Sequence, residues 1–117
     1  MVERSELKGI SWLGDTLNEL RSWPKSVTED MGQELLSVQR GRDPSDWKPL
    51  PSIGAGVKEI RVAQNGNQYR AIYIAKFPEA IYVLHAFEKK TQKMPTHDME
   101  IAKKQYKALL SGRKKNE

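Results

Sequence analysis

The residues with the greatest chemical potential follow a nearly apolar stretch in the last third of the chain. The segment from Tyr82 to Pro95 begins as an apolar strand and ends in polar and charged side chains. Its candidate functional residues are His85, Phe87, Lys89, Lys90, Thr91 and Lys93. Ammonium groups neutralise phosphates, an imidazole transfers protons near neutral pH, and an aromatic ring can stack on an unpaired base. A strand that ends in such side chains is suited to gripping a polyanion.

Each of these side chains also has a structural interpretation. Lysines are ordinary in a solvated connection between a strand and a helix. A histidine on an apolar strand is often a core or edge residue with one satisfied hydrogen bond, although His85 could instead act as an acid or base. Core packing explains Phe87 more simply than base stacking does.

Two arginines on the preceding strands are the next candidates. A hairpin across Asn65-Gly66-Asn67 brings Arg61 and Arg70 within a few residues of each other. The planar guanidinium group gives bidentate, permanently charged hydrogen bonding that suits phosphate recognition. The structural alternative is an ion pair on the sheet surface with Glu59, a residue that could otherwise act as a general base.

Charge and composition narrow the classes of partner and cofactor. Residues 1–84 carry eleven Lys and Arg against eleven Asp and Glu, whereas residues 85–117 carry nine against four. The net charge of +5 therefore lies in the last third, which favours an anionic partner or a solubilising basic surface. Absence of cysteine and the presence of only two histidines argue against a metal site, and no cofactor is expected. No apolar run is long enough for a membrane span, so a cytoplasmic protein without a membrane partner is predicted.

Hydrophobic periodicity predicts a single domain over residues 1–117, with a basic tail at about 111–117, in the order ααβββα. A first helix carries Trp12 to Leu20 and ends at Trp23-Pro24. A second begins with a capping box at Ser26 and Glu29 and stops at Gly41. Its predicted buried stripe is Val27, Met31, Leu35 and Val38.

The second half of the predicted order begins after a loop at residues 42–56, which Trp47 and Leu50 pin to the body. Period-two alternation then predicts strands at 57–63, 69–77 and 80–87. A last helix starts near Thr96 and ends at Gly112. Its predicted buried face consists of Met99, Ala102, Tyr106 and Leu109. The predicted class is α+β: a small antiparallel sheet of three to four strands, an N-terminal helical hairpin and a C-terminal helix.

An ordered set of short motifs gives the chain a family resemblance over roughly residues 8–110. The motifs are Trp12-Leu-Gly-Asp15, Asp46-Trp-Lys-Pro-Leu50, Gly54-Ala-Gly-Val57, Glu59-Ile-Arg61, Tyr69-Arg70 and Leu84-His-Ala-Phe-Glu-Lys-Lys-Thr-Gln-Lys-Met-Pro95. Together they resemble the RelE/ParE toxin superfamily, and within it the phage-derived HigB-type branch. The resemblance implies a RelE-like fold, with a further short strand around residues 8–11.

The resemblance also implies roles for individual residues. Arg70 matches the arginine that contacts the scissile phosphate, and either Lys89 or Lys90 matches a second cation. Arg61 and Glu59 lie on the strand that carries further functional residues in relatives. The catalytic tyrosine near the C-terminus of some members has no certain equivalent, since Tyr106 falls in the buried face of the last helix.

The implied function is the toxin of a type II toxin–antitoxin pair, acting as a metal-independent endoribonuclease that cuts mRNA on the ribosome. The implied partners are the ribosome, mRNA and a helix-turn-helix antitoxin of the HigA kind, with operator DNA contacted through the antitoxin. Two alternatives stay open. One is a ParE-like, non-enzymatic inhibitor of DNA gyrase, and the other is an inactive phage-derived protein that only binds an antitoxin.

Overall fold

A computed structural model describes residues 7–90 and 95–115 and arranges them as five strands and three helices. In chain order these are β1 (Ile10–Trp12), α1 (Thr16–Arg21), α2 (Lys25–Gln39), β2 (Trp47–Pro49), β3 (Val57–Gln64), β4 (Asn67–Ile74), β5 (Ile81–Lys89) and α3 (Thr96–Lys115). The strands form one sheet in the order β1-β5-β4-β3-β2, with β1 parallel to β5 and every other pair antiparallel. The predicted α+β class with a C-terminal helix is confirmed, and the arrangement is consistent with a RelE-like fold. The sheet has five strands rather than the predicted three to four, because the short strands β1 and β2 are added at its two edges.

The β3–β4 hairpin fixes the register of the sheet. Asn65 and Gly66 both adopt positive φ angles, 52° and 82°, as a two-residue turn with the twist of the flanking strands requires. The turn places Arg61 directly opposite Arg70 in the ladder. The two arginines therefore project from the same face of the sheet.

The two faces of the sheet are covered by different helices. On one face α2 buries its predicted stripe, with Val27 and Met31 fully inaccessible, against β3, β4 and β5. On the other face α3 packs Ala102, with Met99, Tyr106 and Leu109, on a cluster that includes Val57, Ile74 and Leu84. These packing predictions are confirmed. None of the helices within residues 7–90 and 95–115 combines the length and the hydrophobicity that a membrane span requires.

Several predicted boundaries are wrong because tertiary contacts override local signals. Trp12 lies in β1 rather than in the first helix, which is only six residues long. The position before α2 is Pro24, without a side-chain cap, and Ser26 donates its hydroxyl hydrogen to the Gln64 side chain instead of forming a capping box. The segment predicted as a loop at residues 42–56 contains the edge strand β2.

The last helix does not end at Gly112 but continues to Lys115. Its final turn is held by Arg113, which pairs with Glu79 and lies 3.8 Å from the centroid of the Phe77 ring. These contacts cross from the helix to the connection between β4 and β5. Contacts with residues distant in sequence therefore extend the helix beyond Gly112, the residue that the local pattern predicts as its end.

Two glycines provide a test of packing under α3. A Cβ atom on Gly54 would lie 2.3 Å from the Tyr106 ring, whereas one on Gly32, inside α2, would meet nothing within 4 Å. Gly54→Ala is expected to lower the free energy of unfolding by about 1–3 kcal/mol. Gly32→Ala is expected to raise it by about 0.5–1 kcal/mol, because alanine is the better helix former. Urea unfolding checks both, and a Gly54→Ala variant as stable as the parent would contradict the close packing.

Candidate nucleic-acid interface

α3 packs on one end of its face of the sheet. The opposite end of the same face, where β2, β3, β4 and β5 lie side by side, is polar. Strand alternation and the observed register bring together side chains that are far apart in sequence. The polar cluster consists of Lys48, Glu59, Arg61, Gln68 and Arg70. Phe87 lies opposite Arg70, and Lys89 lies opposite Gln68. The structure thus brings five of the predicted site residues to one region.

Glu59 is the centre of this cluster. Its Oε1 atom lies 3.2 Å from Arg70 Nη1, 3.3 Å from Arg61 Nε and 4.0 Å from Lys48 Nζ. The Glu59 side chain is fully buried, while the exposed fractions of Arg70, Arg61 and Lys48 are 7%, 31% and 42%. One carboxylate therefore holds three cations that range from buried to solvent-facing, and the cluster keeps a positive excess.

Two atoms of the cluster have no hydrogen-bond partner in the described part of the chain. They are Glu59 Oε2 and Arg70 Nε, both inaccessible to solvent. The other nitrogen atoms of the Arg70 guanidinium are used, since Nη2 donates to Gln68 Oε1 at 2.7 Å and Nη1 to Glu59. Buried polar atoms are normally paired, and exceptions concentrate where a site is built for a ligand or a reaction.

The arrangement contradicts the view of an ordinary ion pair on the sheet surface. Glu59 does pair with Arg61, as the structural alternative predicted, but the carboxylate is buried and binds Arg70 as well. A carboxylate inaccessible to solvent and committed to several cations is placed to hold arginines in position. This geometry does not favour Glu59 as a base that takes a proton from a substrate.

His85 forms a second cluster on the same strand. Its Nε2 atom lies 2.8 Å from Asp98 Oδ1 at the start of α3, which leaves Nδ1 for another partner. The His85 ring also stacks on the Phe87 ring, with centroids 5.5 Å apart and an angle of 17° between the planes. Phe87 itself is 5% exposed and belongs to the core under α3, as the simpler interpretation held.

The two lysines after β5 occupy different surroundings. Lys89, the last residue of β5, pairs in the ladder with Gln68 and so adjoins the Arg70 cluster. Lys90 is exposed and lines a hollow of about 430 Å³. The other lining residues belong to β5, to α1 and the connection that follows it, and to the start of α3, and they include His85 and Trp23. The sequence could not choose between these lysines, and the register favours Lys89 as the cation next to Arg70. Thr91 and Lys93 lie outside the described residues.

Three members of these clusters were missed by sequence reasoning. Lys48 was hidden in a proline-containing segment whose strand forms only by pairing with β3. The sequence indicates Asp98 only as a carboxylate favoured by the helix dipole, because its contact with His85 joins residues that are thirteen positions apart and lie on different elements. Gln68 could have been found, since it lies two residues before Arg70 and alternation puts both on one face.

Comparison with known proteins gives one match. A family model described as "Phage derived protein Gp49-like" matches residues 18–107, a range that contains both clusters. That family falls within the clan of RelE/ParE-like toxins. Neither the curated proteins nor the solved structures yield a match to this chain.

Proposed function

This chain belongs to the phage-derived Gp49-like family of RelE/ParE-like toxins, and from that premise we propose that it is a ribosome-dependent mRNA endoribonuclease of the HigB type. The observation that carries the proposal is the set of cations gathered on Glu59, with Arg61 and Lys48 reaching solvent. Phosphodiester cleavage needs cations that stabilise negative charge and a group that transfers protons. A cationic surface that is partly exposed to solvent and lies next to an imidazole provides both. The toxin would be partnered by a helix-turn-helix antitoxin of the HigA kind, which would carry the contact to operator DNA.

The proposed reaction is an internal displacement within the RNA. The 2′-hydroxyl oxygen attacks the adjacent phosphorus, the bond from phosphorus to the 5′-oxygen breaks, and a 2′,3′-cyclic phosphate and a 5′-hydroxyl result. One proton leaves the 2′-hydroxyl and one is added to the departing 5′-oxygen, so the step consumes no water. Water opens the cyclic phosphate in a later step if the product is linear.

Each group in this scheme has a role that follows from its surroundings. Arg70 and Lys89 would stabilise the charge that develops on the pentacovalent phosphorus, the largest kind of contribution to such catalysis. Arg61, less buried than Arg70, would position the RNA backbone on the way in. His85 would transfer protons through Nδ1, because Asp98 already occupies the other ring nitrogen.

Ribosome docking would use the outward face of α3. Its exposed lysines are Lys103, Lys104, Lys107, Lys114 and Lys115. They lie opposite the face that Ala102 and Tyr106 pack on the sheet. A stripe of cations along a helix suits the phosphate backbone of ribosomal RNA, and binding through it would weaken as salt rises.

Primer extension on mRNA after induced expression tests the function directly. Discrete cuts within translated reading frames, lost when Arg70 is replaced, are the expected result. Induction of the DNA-damage response without mRNA cleavage would favour a gyrase inhibitor instead. Growth that continues with neither response would favour an inactive protein that only binds an antitoxin.

Replacing His85 is expected to separate proton transfer from RNA binding. His85→Gln should lower the cleavage rate on ribosome-bound mRNA by about 10²–10⁴-fold while leaving KM within about twofold, because glutamine cannot transfer protons. Asp98→Asn should lower kcat less and also spare KM, since it disturbs only the orientation of the ring. Single-turnover cleavage measures both, and a His85→Gln variant at the parental rate would remove His85 from the mechanism.

A further inference from the structure

A basic hollow lies at the end of the sheet away from the Glu59 cluster. This basic groove is formed where α2 ends, β3 begins and β4 ends, and it encloses about 790 Å³. Its charged lining residues are Lys8, Arg40, Arg42, Lys58 and Lys76, with Asp43 and Glu79. Five cations face two carboxylates, so the groove has a positive excess and a size in the range of small-ligand sites.

Three of these cations form neither a salt bridge nor a side-chain hydrogen bond in the described part of the chain. Lys58 pairs with Asp43 at 3.2 Å, and Lys8 donates to the carbonyl oxygen of Ala75. The remaining cations are Arg40, Arg42 and Lys76, and all three are exposed. The guanidinium forks of the two arginines therefore remain available for bidentate contact with an anion.

Tyr73 adds a buried donor to the groove. The residue is 1% exposed and lines the groove. Its hydroxyl is the one polar group of this side chain through which it can contact a ligand in the groove. Burial, and to a lesser extent the charge of Asp43, raises the pKa of the Tyr73 phenol. The hydroxyl therefore keeps its proton at physiological pH and can donate it in a hydrogen bond.

The end of α2 does not oppose an anion as strongly as a bare helix end would. Carbonyl groups at a helix C-terminus carry partial negative charge. Here the carbonyl oxygens of Ser37 and Val38 accept from the backbone N–H groups of Arg42 and Gly41 at 2.9 Å. Gly41, at φ 79°, permits the chain reversal that makes these bonds. The same reversal leaves Arg40 and Arg42 at the rim of the groove.

We propose that the basic groove binds a phosphate ester, held by the Tyr73 hydroxyl and by the charged groups of Arg40, Arg42 and Lys76. The ester could come from a nucleic-acid backbone or from a free nucleotide, since both present the same anionic oxygens. The groove is separate from the proposed cleavage site. Lys76 lies six residues along the chain from Arg70, which at strand spacing is roughly 20 Å, and Tyr73 projects from the α2 face of the sheet.

Titration of the full chain with two probes tests the groove and distinguishes the sources. The probes are adenosine 5′-monophosphate and a single-stranded RNA oligonucleotide methylated at every 2′-oxygen, which cannot be cleaved by the proposed reaction. Backbone amide NMR shifts are expected at Gly41 and Gly56, which line the groove. Binding of the mononucleotide identifies a nucleotide site, and binding of the oligonucleotide alone identifies a backbone site. No binding of either probe at millimolar concentration overturns the proposal.

Matched variants decide whether the groove residues make the contact. Arg40→Gln/Arg42→Gln is expected to weaken binding of the probe at least about tenfold, and Tyr73→Phe about fivefold. Arg21→Gln/Lys25→Gln removes the same charge near the start of α2, roughly 20 Å away at 1.5 Å per residue, and should leave binding within twofold. Equal weakening by both double variants would overturn the proposal. Arg40 and Arg42 are exposed, so the double variant at these positions tests the groove even if Tyr73→Phe unfolds. Cleavage of mRNA is measured separately, because it tests the proposed function and not the groove.

Discussion

Arg70→Ala is expected to abolish growth arrest and to lower mRNA cleavage at least about 100-fold. Arg70 is the most buried cation of the Glu59 cluster and has an unused Nε–H group in the described structure. A charge fixed in a site shielded from water stabilises a transition state more than an exposed one does, because it need not reorganise. Cleavage by primer extension and colony formation after induction measure the two effects.

The fold is expected to tolerate this change better than the burial of Arg70 suggests. When Arg70 is removed, the Glu59 carboxylate keeps Arg61 at 3.3 Å and Lys48 at 4.0 Å, so it is not left without a cation. Arg70→Lys keeps the charge but loses the planar fork, and an intermediate loss of cleavage is expected. Arg21→Ala, at an exposed position on α1, is the matched control and should remain fully toxic. Undiminished arrest by a folded Arg70→Ala variant would exclude the proposed role.

How much of this site could be predicted from sequence depends on whether its contacts are local. The position of Arg61 close to Arg70 on the neighbouring strand follows from the Asn65-Gly66 turn, whose residue types are typical of a β-hairpin, and the structure confirms it. The stacking of His85 on Phe87 follows from strand alternation. Both relations need only one hairpin or one strand, so a short pattern contains the necessary information.

The burial of Glu59 could not be predicted in the same way. It depends on β2 lying at the edge of the sheet and on β4 supplying Arg70 from eleven residues away. In the sequence, Glu59 lies between a lysine and an arginine, which suggests an exposed residue, because charged groups are seldom fully buried unless paired. Only the assembled sheet shows that the Glu59 carboxylate has the cationic partners that allow it to be buried. The same limit applies to Asp98, whose partner lies on another element.

Glu59→Gln is expected to lower the free energy of unfolding by about 3–5 kcal/mol, a large part of the stability of a small domain. Glutamine keeps the size of the side chain but removes the only carboxylate that the described structure places against Arg70. Arg70 is then left buried and unpaired, close to two other cations. Urea unfolding measures the loss. Glu29→Gln, at a side chain 65% exposed, is the matched control and should stay within about 0.5 kcal/mol.

A double variant separates the ion pair from general damage to the core. Glu59→Gln/Arg70→Gln removes the buried cation together with its partner, so it is expected to be more stable than Glu59→Gln alone. If the double variant lost the sum of the two single effects, Glu59 and Arg70 would not be coupled. In that case the 3.2 Å contact would contribute nothing to the fold.

The same pair of variants also separates two roles for Glu59. If Glu59 were a general base, Glu59→Gln would leave a stable, folded and inactive protein, and removing Arg70 as well would restore nothing. If Glu59 holds the arginines, the single variant loses stability and the double variant recovers part of it while remaining inactive, because Arg70 is gone. The stability recovered in an inactive protein is the result that only the positioning role predicts, and full burial of the carboxylate is the reason to expect it.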